Sequence, residues 1–249
     1  MSSNDDTNII VQNVLAKDVN KLLKEVKELV SRLNKRKNEE VSDDTSSKRS
    51  KVEEKTAHIV LCVDRSGSMA SYNDTYKNIS DAIADIPKER GENARISFMT
   101  FDNEIEWHDK NIIAKSFKPT EDSMRPRSST ALRDAIMESI KHSNEEEYKD
   151  MQKYIIIFTD GHDNESKTSV QSLKSEIEKA KSNDIDFTFL AAGEADFTDG
   201  SSIGIGRNDM LKVGNSDRSM NASLKRSIGK KVGGFTKEDR DDVDDDTPV

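Results

Sequence analysis

The sequence predicts an α/β fold in which helices cover both faces of a doubly wound (Rossmann-like), mostly parallel β-sheet. Two observations support this class. Between residues 56 and 234, short apolar runs alternate with segments of helical periodicity, as repeated strand–helix units require. Two of these runs, AHIVLCVD at 57–64 and YIIIFTD at 154–160, are almost continuously apolar, which is typical of parallel strands buried on both faces.

The other elements of this domain follow in chain order. Residues 73–88 have helical periodicity, and the helix is expected to end at Pro87. RISFMTFD and EIEWHD alternate apolar and polar residues on either side of a short turn, which predicts a hairpin and one antiparallel edge strand. We expect further helices over 131–142, 169–182 and 219–231, and further strands over IDFTFLAAG, ending at Gly193, and MLKVG.

Outside the domain at 56–234 the composition changes three times. Residues 1–37 contain a heptad pattern with valine at a and leucine at d, formed by Leu15, Val19, Leu22, Val26, Leu29 and Leu33. This pattern fits a parallel coiled coil that makes a homodimer, and equally an amphipathic helix lying on the chain's own domain. Residues 38–55 are predicted to be a flexible charged linker, and residues 235–249 a disordered acidic tail.

Composition and charge exclude several classes of protein. The net charge of −9 argues against nucleic-acid binding. There is no apolar run long enough for a membrane span and no signal-peptide pattern, and the lone cysteine, Cys62, cannot form an internal disulfide. We therefore expect an intracellular, cytoplasmic protein. The basic clusters Lys35-Arg36 and Lys48-Arg49-Ser50-Lys51 resemble a bipartite nuclear signal, which predicts a nuclear location in a eukaryotic host; the alternative is a solvated linker.

Polar side chains stand out at three places in the predicted sheet. DRSGS, at 64–68, follows the first buried strand, and TDG, at 159–161, ends another. SSTAL, at 128–132, comes directly before a predicted helix. Because ligands of doubly wound sheets lie beyond the carboxyl ends of the strands, we expect these three segments to converge on one edge.

The three segments offer two carboxylates and three hydroxyls, from Asp64, Asp160, Ser66, Ser68 and Thr130. These are hard oxygen donors, which suit Mg²⁺ with Mn²⁺ as a substitute and offer nothing to a metal that seeks thiol or imidazole. A cation held by so few protein ligands keeps a position for an Asp or Glu of a partner protein. The alternative is that Asp64 and Ser66 only cap the helix that follows.

Asp64-x-Ser66-x-Ser68, followed by Thr130 and by Asp160 in a TDG sequence, resembles the metal-ion-dependent adhesion site (MIDAS) of von Willebrand factor A domains. The resemblance covers about residues 57–228. It looks closest to the stand-alone intracellular A domains of bacteria, phages and large DNA viruses, which share the element RPR-x-x-TAL-x-DAI seen here at 125–136. It implies that the three hydroxyls coordinate the metal directly, and the two carboxylates directly or through water. Those relatives commonly have glycine before the threonine, where this chain has Ser128-Ser129.

No catalytic set accompanies these residues, so we expect a non-enzymatic protein. Ser66 stands where an aspartyl phosphotransferase has its second acid, neither serine lies in G-x-S-x-G, and Gly204-Ile205-Gly206 lacks the third glycine of a dinucleotide loop. The sequence thus predicts a metal-dependent protein-interaction module. The alternative is a structural or assembly component, or an accessory subunit of a larger complex, whose metal site is only structural. The residues expected to face an acidic partner are Arg65, Met69, Tyr72, Arg125 and Arg127.

Overall fold

The computed structural model describes residues 56–72, 74–193, 195–214, 216–230, 234–236 and 239. The predicted N-terminal helix, the linker with its basic clusters and almost all of the acidic tail lie outside these residues. Within the described part, no helix is long and apolar enough to cross a membrane.

A single sheet of six strands organises the described residues, in the spatial order β3-β2-β1-β4-β5-β6. The strands are β1 Ala57–Asp64, β2 Arg95–Phe101, β3 Ile105–Ile113, β4 Gln152–Thr159, β5 Ile185–Ala191 and β6 Met210–Lys212. β3 pairs with β2 in the antiparallel direction, and the other neighbouring strands are parallel. The predicted α/β class, with one antiparallel edge strand from a hairpin, is confirmed.

Six α-helices are described: α1 Thr75–Ile83, α2 Ile86–Arg90, α3 Leu132–Ser143, α4 Val170–Ser182, α5 Phe197–Ser202 and α6 Asp217–Gly229. The single helix predicted over 73–88 is wrong, because two helices occupy this stretch and Pro87 lies in the first turn of the second. Proline is tolerated there, since the amide hydrogens of a first turn have no partner within the helix. The short helix α5 was not predicted.

The core lies on both faces of the sheet. Along β1 alternate side chains enter the two faces, with Leu61 in the layer that includes Leu224 of α6, and Cys62 in the layer that includes Ile136 of α3. All eight residues of β1 are buried. A strand covered on both faces can present polar groups to solvent only at its ends. The carboxyl ends of the central neighbours β1 and β4 are therefore the places to examine.

Candidate metal centre

Asp64, the last residue of β1, joins the ends of the two central strands. One carboxylate oxygen accepts a hydrogen bond from the Ser66 amide at 2.7 Å, and the other accepts from the Thr159 hydroxyl, at the end of β4, at 2.6 Å. The residue is only 1% exposed. Its carboxylate is thus fixed by two strands at once, at the edge where the sequence predicted it.

A chain of hydrogen bonds continues from this loop to Asp160. The Ser66 and Ser68 hydroxyls lie 3.1 Å apart, and the Ser68 hydroxyl donates to the Asp160 carboxylate at 2.8 Å. Ser66 and Asp160 are buried, whereas Ser68 is exposed. The network therefore begins and ends at buried residues and is open to the solvent at Ser68, where a ligand can reach it.

Thr130 is placed beside these residues by the TDG turn. A Cβ atom added at Gly161 would lie 3.5 Å from the Ser68 hydroxyl oxygen and 3.9 Å from the Thr130 hydroxyl oxygen, so both groups face this glycine. Asn164 fixes the position of Thr130 by two hydrogen bonds. Its side-chain oxygen accepts from the Thr130 main-chain amide at 2.8 Å, and its main-chain amide donates to the Thr130 carbonyl at 3.0 Å. All five predicted ligands are therefore brought together at one edge of the sheet.

Asp102, which follows β2, supports the metal loops and was not singled out from the sequence. Its buried carboxylate accepts from Nε of Arg65 at 3.1 Å and from Nε of Arg127. The main chains of the same loops are also joined, since the Arg127 amide donates to the Arg65 carbonyl at 2.8 Å and the Gly67 amide to the Ser128 carbonyl at 3.0 Å. One buried acid thereby ties the loop after β1 to the loop before α3.

The predicted recognition surface is wrong for three of its five residues. Arg65, Met69 and Tyr72 are buried, and the Arg65 guanidinium also pairs with Glu106 at 2.7 Å. The physical reason is that Met69 and Tyr72 pack into the hydrophobic core, while Asp102 and Glu106 hold the Arg65 guanidinium against the domain. Arg125 and Arg127 remain accessible, although Arg127 is ion-paired with Asp102.

The electrostatics of the centre fit a cation. The pKa of Asp64 is raised to about 6, chiefly by burial and also by the nearby charge of Asp160, while hydrogen bonds from Thr159 and Ser66 act in the opposite direction. A cation beside these two carboxylates would offset both effects. In the part of the chain that the structure describes, no cluster of three or more His, Cys, Asp or Glu side chains is arranged to hold a metal. The donor set is hydroxyl-rich, and its hard oxygens suit Mg²⁺ or Mn²⁺.

The family model of the von Willebrand factor type A domain matches residues 58–221, which is more than half of the chain. The chain belongs to the von Willebrand factor type A family. Members of this family commonly bind a divalent metal at a MIDAS site and often mediate metal-dependent protein interactions. No curated protein sequence matches the chain.

Solved structures show the same fold at low identity. Proximal thread matrix protein 1 from the mussel byssus is 20% identical, with a TM-score of 0.56, over 70% of this chain and 48% of that chain. The same protein with a zinc-occupied MIDAS motif is 19% identical, with a TM-score of 0.57 and the same coverage. A von Willebrand factor type A protein from Catenulispora acidiphila is 12% identical, with a TM-score of 0.53, over 71% and 42% of the two chains. This chain thus spans about half the length of the mussel protein.

Proposed function

We propose that the von Willebrand factor type A domain holds Mg²⁺, or Mn²⁺ in its place, through Asp64, Ser66, Ser68, Thr130 and Asp160. We further propose that it uses this metal to bind an Asp or Glu side chain of a partner protein, without catalysing a reaction. The observation that carries the proposal is the hydrogen-bond chain from Asp64 to Asp160. It joins donors from two loops and reaches the surface at Ser68.

Charge balance supports binding of an acidic partner. Two carboxylates can neutralise a divalent cation, and three hydroxyls add no charge. A metal held in this way accepts a further anionic oxygen, and a carboxylate from a partner would make a strong, oriented contact. Exposed Ser68 and the side-chain-free Gly67 beside it leave room for this approach.

The surroundings of the serines favour binding over hydrolysis. A nucleophilic serine needs a base in hydrogen-bond contact. Within the described residues, the Ser66 and Ser68 hydroxyls bond to each other and to Asp160, and no histidine contacts either of them. His162, two residues after Asp160, hydrogen-bonds through Nδ1 to Asp199 at 2.9 Å.

Metal titration with three variants tests the ligand set. By calorimetry with Mg²⁺ and Mn²⁺, we expect Asp160→Asn to weaken binding by about 100-fold or more, and Thr130→Val, which replaces one hydroxyl by a methyl group, by about tenfold. Glu165→Gln is the matched control, because it removes a nearby exposed charge that contacts only Ser129 among the described residues. Equal losses of metal affinity in Asp160→Asn and Glu165→Gln would mean that this edge of the sheet attracts cations only through its net negative charge.

Affinity capture from the native cell extract tests the interaction itself. The wild-type chain is presented with Mg²⁺ and with EDTA, beside Asp160→Asn and Glu165→Gln. We expect one protein to be retained only with metal and only when Asp160 is intact. Tight metal binding combined with capture that ignores EDTA would contradict metal-bridged recognition, and would favour the alternative in which the metal is only structural.

A further inference from the structure

The segment at 162–168, which follows the TDG turn, contacts the start of α3. The N-cap residue of α3 forms no side-chain hydrogen bond with the helix. The first amides of a helix have no partner within it, so their cap must come from elsewhere. The Asp163 carboxylate accepts from the Arg133 amide at 2.7 Å. The Ser166 hydroxyl accepts from the Asp134 amide at 3.1 Å. The cap of α3 is therefore supplied by residues that come directly after a metal loop.

The helix binds this segment in return. The Asp134 carboxylate accepts from the amides of Lys167 and Thr168, at 2.9 and 2.8 Å. Nε of Arg133 donates to the Thr168 carbonyl at 2.7 Å. Because each side satisfies main-chain groups of the other, the segment and the first turn of α3 form one connected unit.

Asn164, within this segment, contacts a proposed metal ligand. Its side-chain oxygen accepts from the Thr130 amide at 2.8 Å. The Thr130 carbonyl accepts from the amides of Asn164 and Glu165, at 3.0 and 3.1 Å. Thr130 is buried, whereas Asn164 is exposed. An exposed side chain therefore holds the main chain of a buried ligand residue, and it does so from the loop that also carries Asp160.

We propose that Asn164 is a positioning residue that makes the metal centre select Mg²⁺ over Ca²⁺, an inference that rests on the function proposed above. Mg²⁺ requires near-octahedral geometry with oxygens at about 2.0–2.1 Å, whereas Ca²⁺ accepts variable geometry at about 2.3–2.6 Å. A hydroxyl and a carboxylate on two linked loops keep a fixed separation, which suits the ion that tolerates little variation. Asn164 supplies this link, because its side chain joins the loop of Thr130 to the loop of Asp160.

Calorimetric titration of both ions tests this role. We expect Asn164→Ala to weaken Mg²⁺ binding by about tenfold and Ca²⁺ binding by less than about threefold, so that the ratio of the two affinities falls. Asn164→Asp keeps an oxygen that can accept from Thr130, so it should restore the ratio even though its added charge strengthens binding of both ions. Asn183→Ala is the matched control, because Asn183 is exposed after α4, at the other end of the sheet.

Hydrogen exchange of the Thr130 amide, followed by NMR with EDTA present, adds a readout that needs no metal. Exchange should be faster in Asn164→Ala than in the wild type, and slow again in Asn164→Asp. An equal loss of affinity for both ions in Asn164→Ala, or unchanged exchange at Thr130, would overturn the positioning role while leaving the metal site in place. A wild-type chain that binds neither ion would overturn the proposed function, and this inference with it.

Discussion

The two ends of the sheet both carry polar side chains, but they differ in whether these side chains reach the solvent. At the carboxyl end, Asp64, Ser66 and Ser68 form a chain of hydrogen bonds that reaches the solvent at Ser68. At the amino end, His58 and His142 both contact the Ser97 hydroxyl, at 2.9 and 3.0 Å, and all three residues are buried. The first group of side chains reaches the solvent at Ser68, whereas the second group is enclosed within the domain.

Burial acts with opposite sign on the acid and the base at these two ends. Burial is the main reason that the pKa of Asp64 is raised to about 6 and that the pKa of His58 is lowered to about 3, and His142 and Lys153 add to the lowering at His58. Both groups are pushed toward their neutral forms. At the carboxyl end a cation can reverse this effect. At the amino end, burial and the charges of His142 and Lys153 act in the same direction, so the His58 ring stays neutral near pH 7.

The largest expected effect comes from breaking the ion pair that ties the metal loops together. Arg65→Met removes a guanidinium whose partner Asp102 is fully buried, and leaves Arg127 as the one remaining ion-pair partner of that carboxylate among the described residues. Loss of one partner from a buried pair destabilises a protein by about 3 kcal/mol or more. We expect this loss in the free energy of unfolding, measured in urea with EDTA present, together with weaker Mn²⁺ binding.

Arg125→Met is the matched control for this variant. Arg125 pairs with Asp122 at the surface of the segment before α3, and both side chains are more than three-quarters exposed. Exposed pairs contribute little, so the expected change is below about 0.5 kcal/mol. If the two variants lost the same stability, the ion pair between Arg65 and Asp102 would contribute no more than a surface contact. The inference that Asp102 ties the loop after β1 to the loop before α3 would then be disproved.

An effect of intermediate size is expected at the amino end of the sheet, where the free energy of unfolding should depend on pH through His58. Above pH 6.5, His58 is neutral in both the folded and the unfolded chain and adds no pH dependence. As the pH falls from 6.5 toward 3, the unfolded chain takes up a proton that the folded chain does not. Stability is therefore lost, by up to about 1.4 kcal/mol per pH unit. His58→Phe, which cannot be protonated, should lose this part of the slope in urea unfolding.

Tyr148→Phe separates titration from packing in that experiment. The Tyr148 ring stacks on His58 with centroids 3.8 Å apart, and its hydroxyl contacts His142 at 3.1 Å. The variant keeps the stacked ring and keeps His58, so it should retain the wild-type pH slope while losing some stability at every pH. Parallel profiles for wild type and His58→Phe would show that His58 takes up its proton equally in both states.

The comparison also explains what the sequence could predict. The proposed metal ligands are marked by short local motifs, because DRSGS and TDG each place their oxygen donors at the end of a buried strand. Asp102 carries no such mark, since its partners Arg65 and Arg127 lie 37 and 25 positions away and pair with it only after folding. The buried contact of His58 with Ser97 could not be predicted either, because His58 is a single residue of an apolar strand and Ser97 is distant in sequence. A short motif of metal-ligand residues can be recognised in a single sequence. The burial of a residue and its pairing with a distant residue are defined only once the sheet has folded.

The smallest expected effect concerns Ser128, in the loop before Thr130. Ser128 has a φ of 59°, in the left-handed region that disfavours residues with a Cβ atom. Its carbonyl nevertheless accepts from Gly67 at 3.0 Å, so the loop holds this strained angle against the metal-binding turn. Ser128→Gly should therefore raise the free energy of unfolding by about 0.5–1 kcal/mol and leave the metal affinity unchanged.

Ser129→Gly is the control that makes this small gain interpretable. Ser129 is not among the described residues with positive φ, and its hydroxyl contacts Glu165 at 3.2 Å. Glycine at 129 relieves no strain and adds flexibility to the unfolded chain, so it should lower stability by about 0.5–1 kcal/mol. Opposite signs at two adjacent serines would assign the strain to the φ angle of Ser128. Changes of the same sign would mean that this loop responds to added flexibility alone, and that the carboxyl end is held by Asp102 and its arginines rather than by the backbone of residue 128.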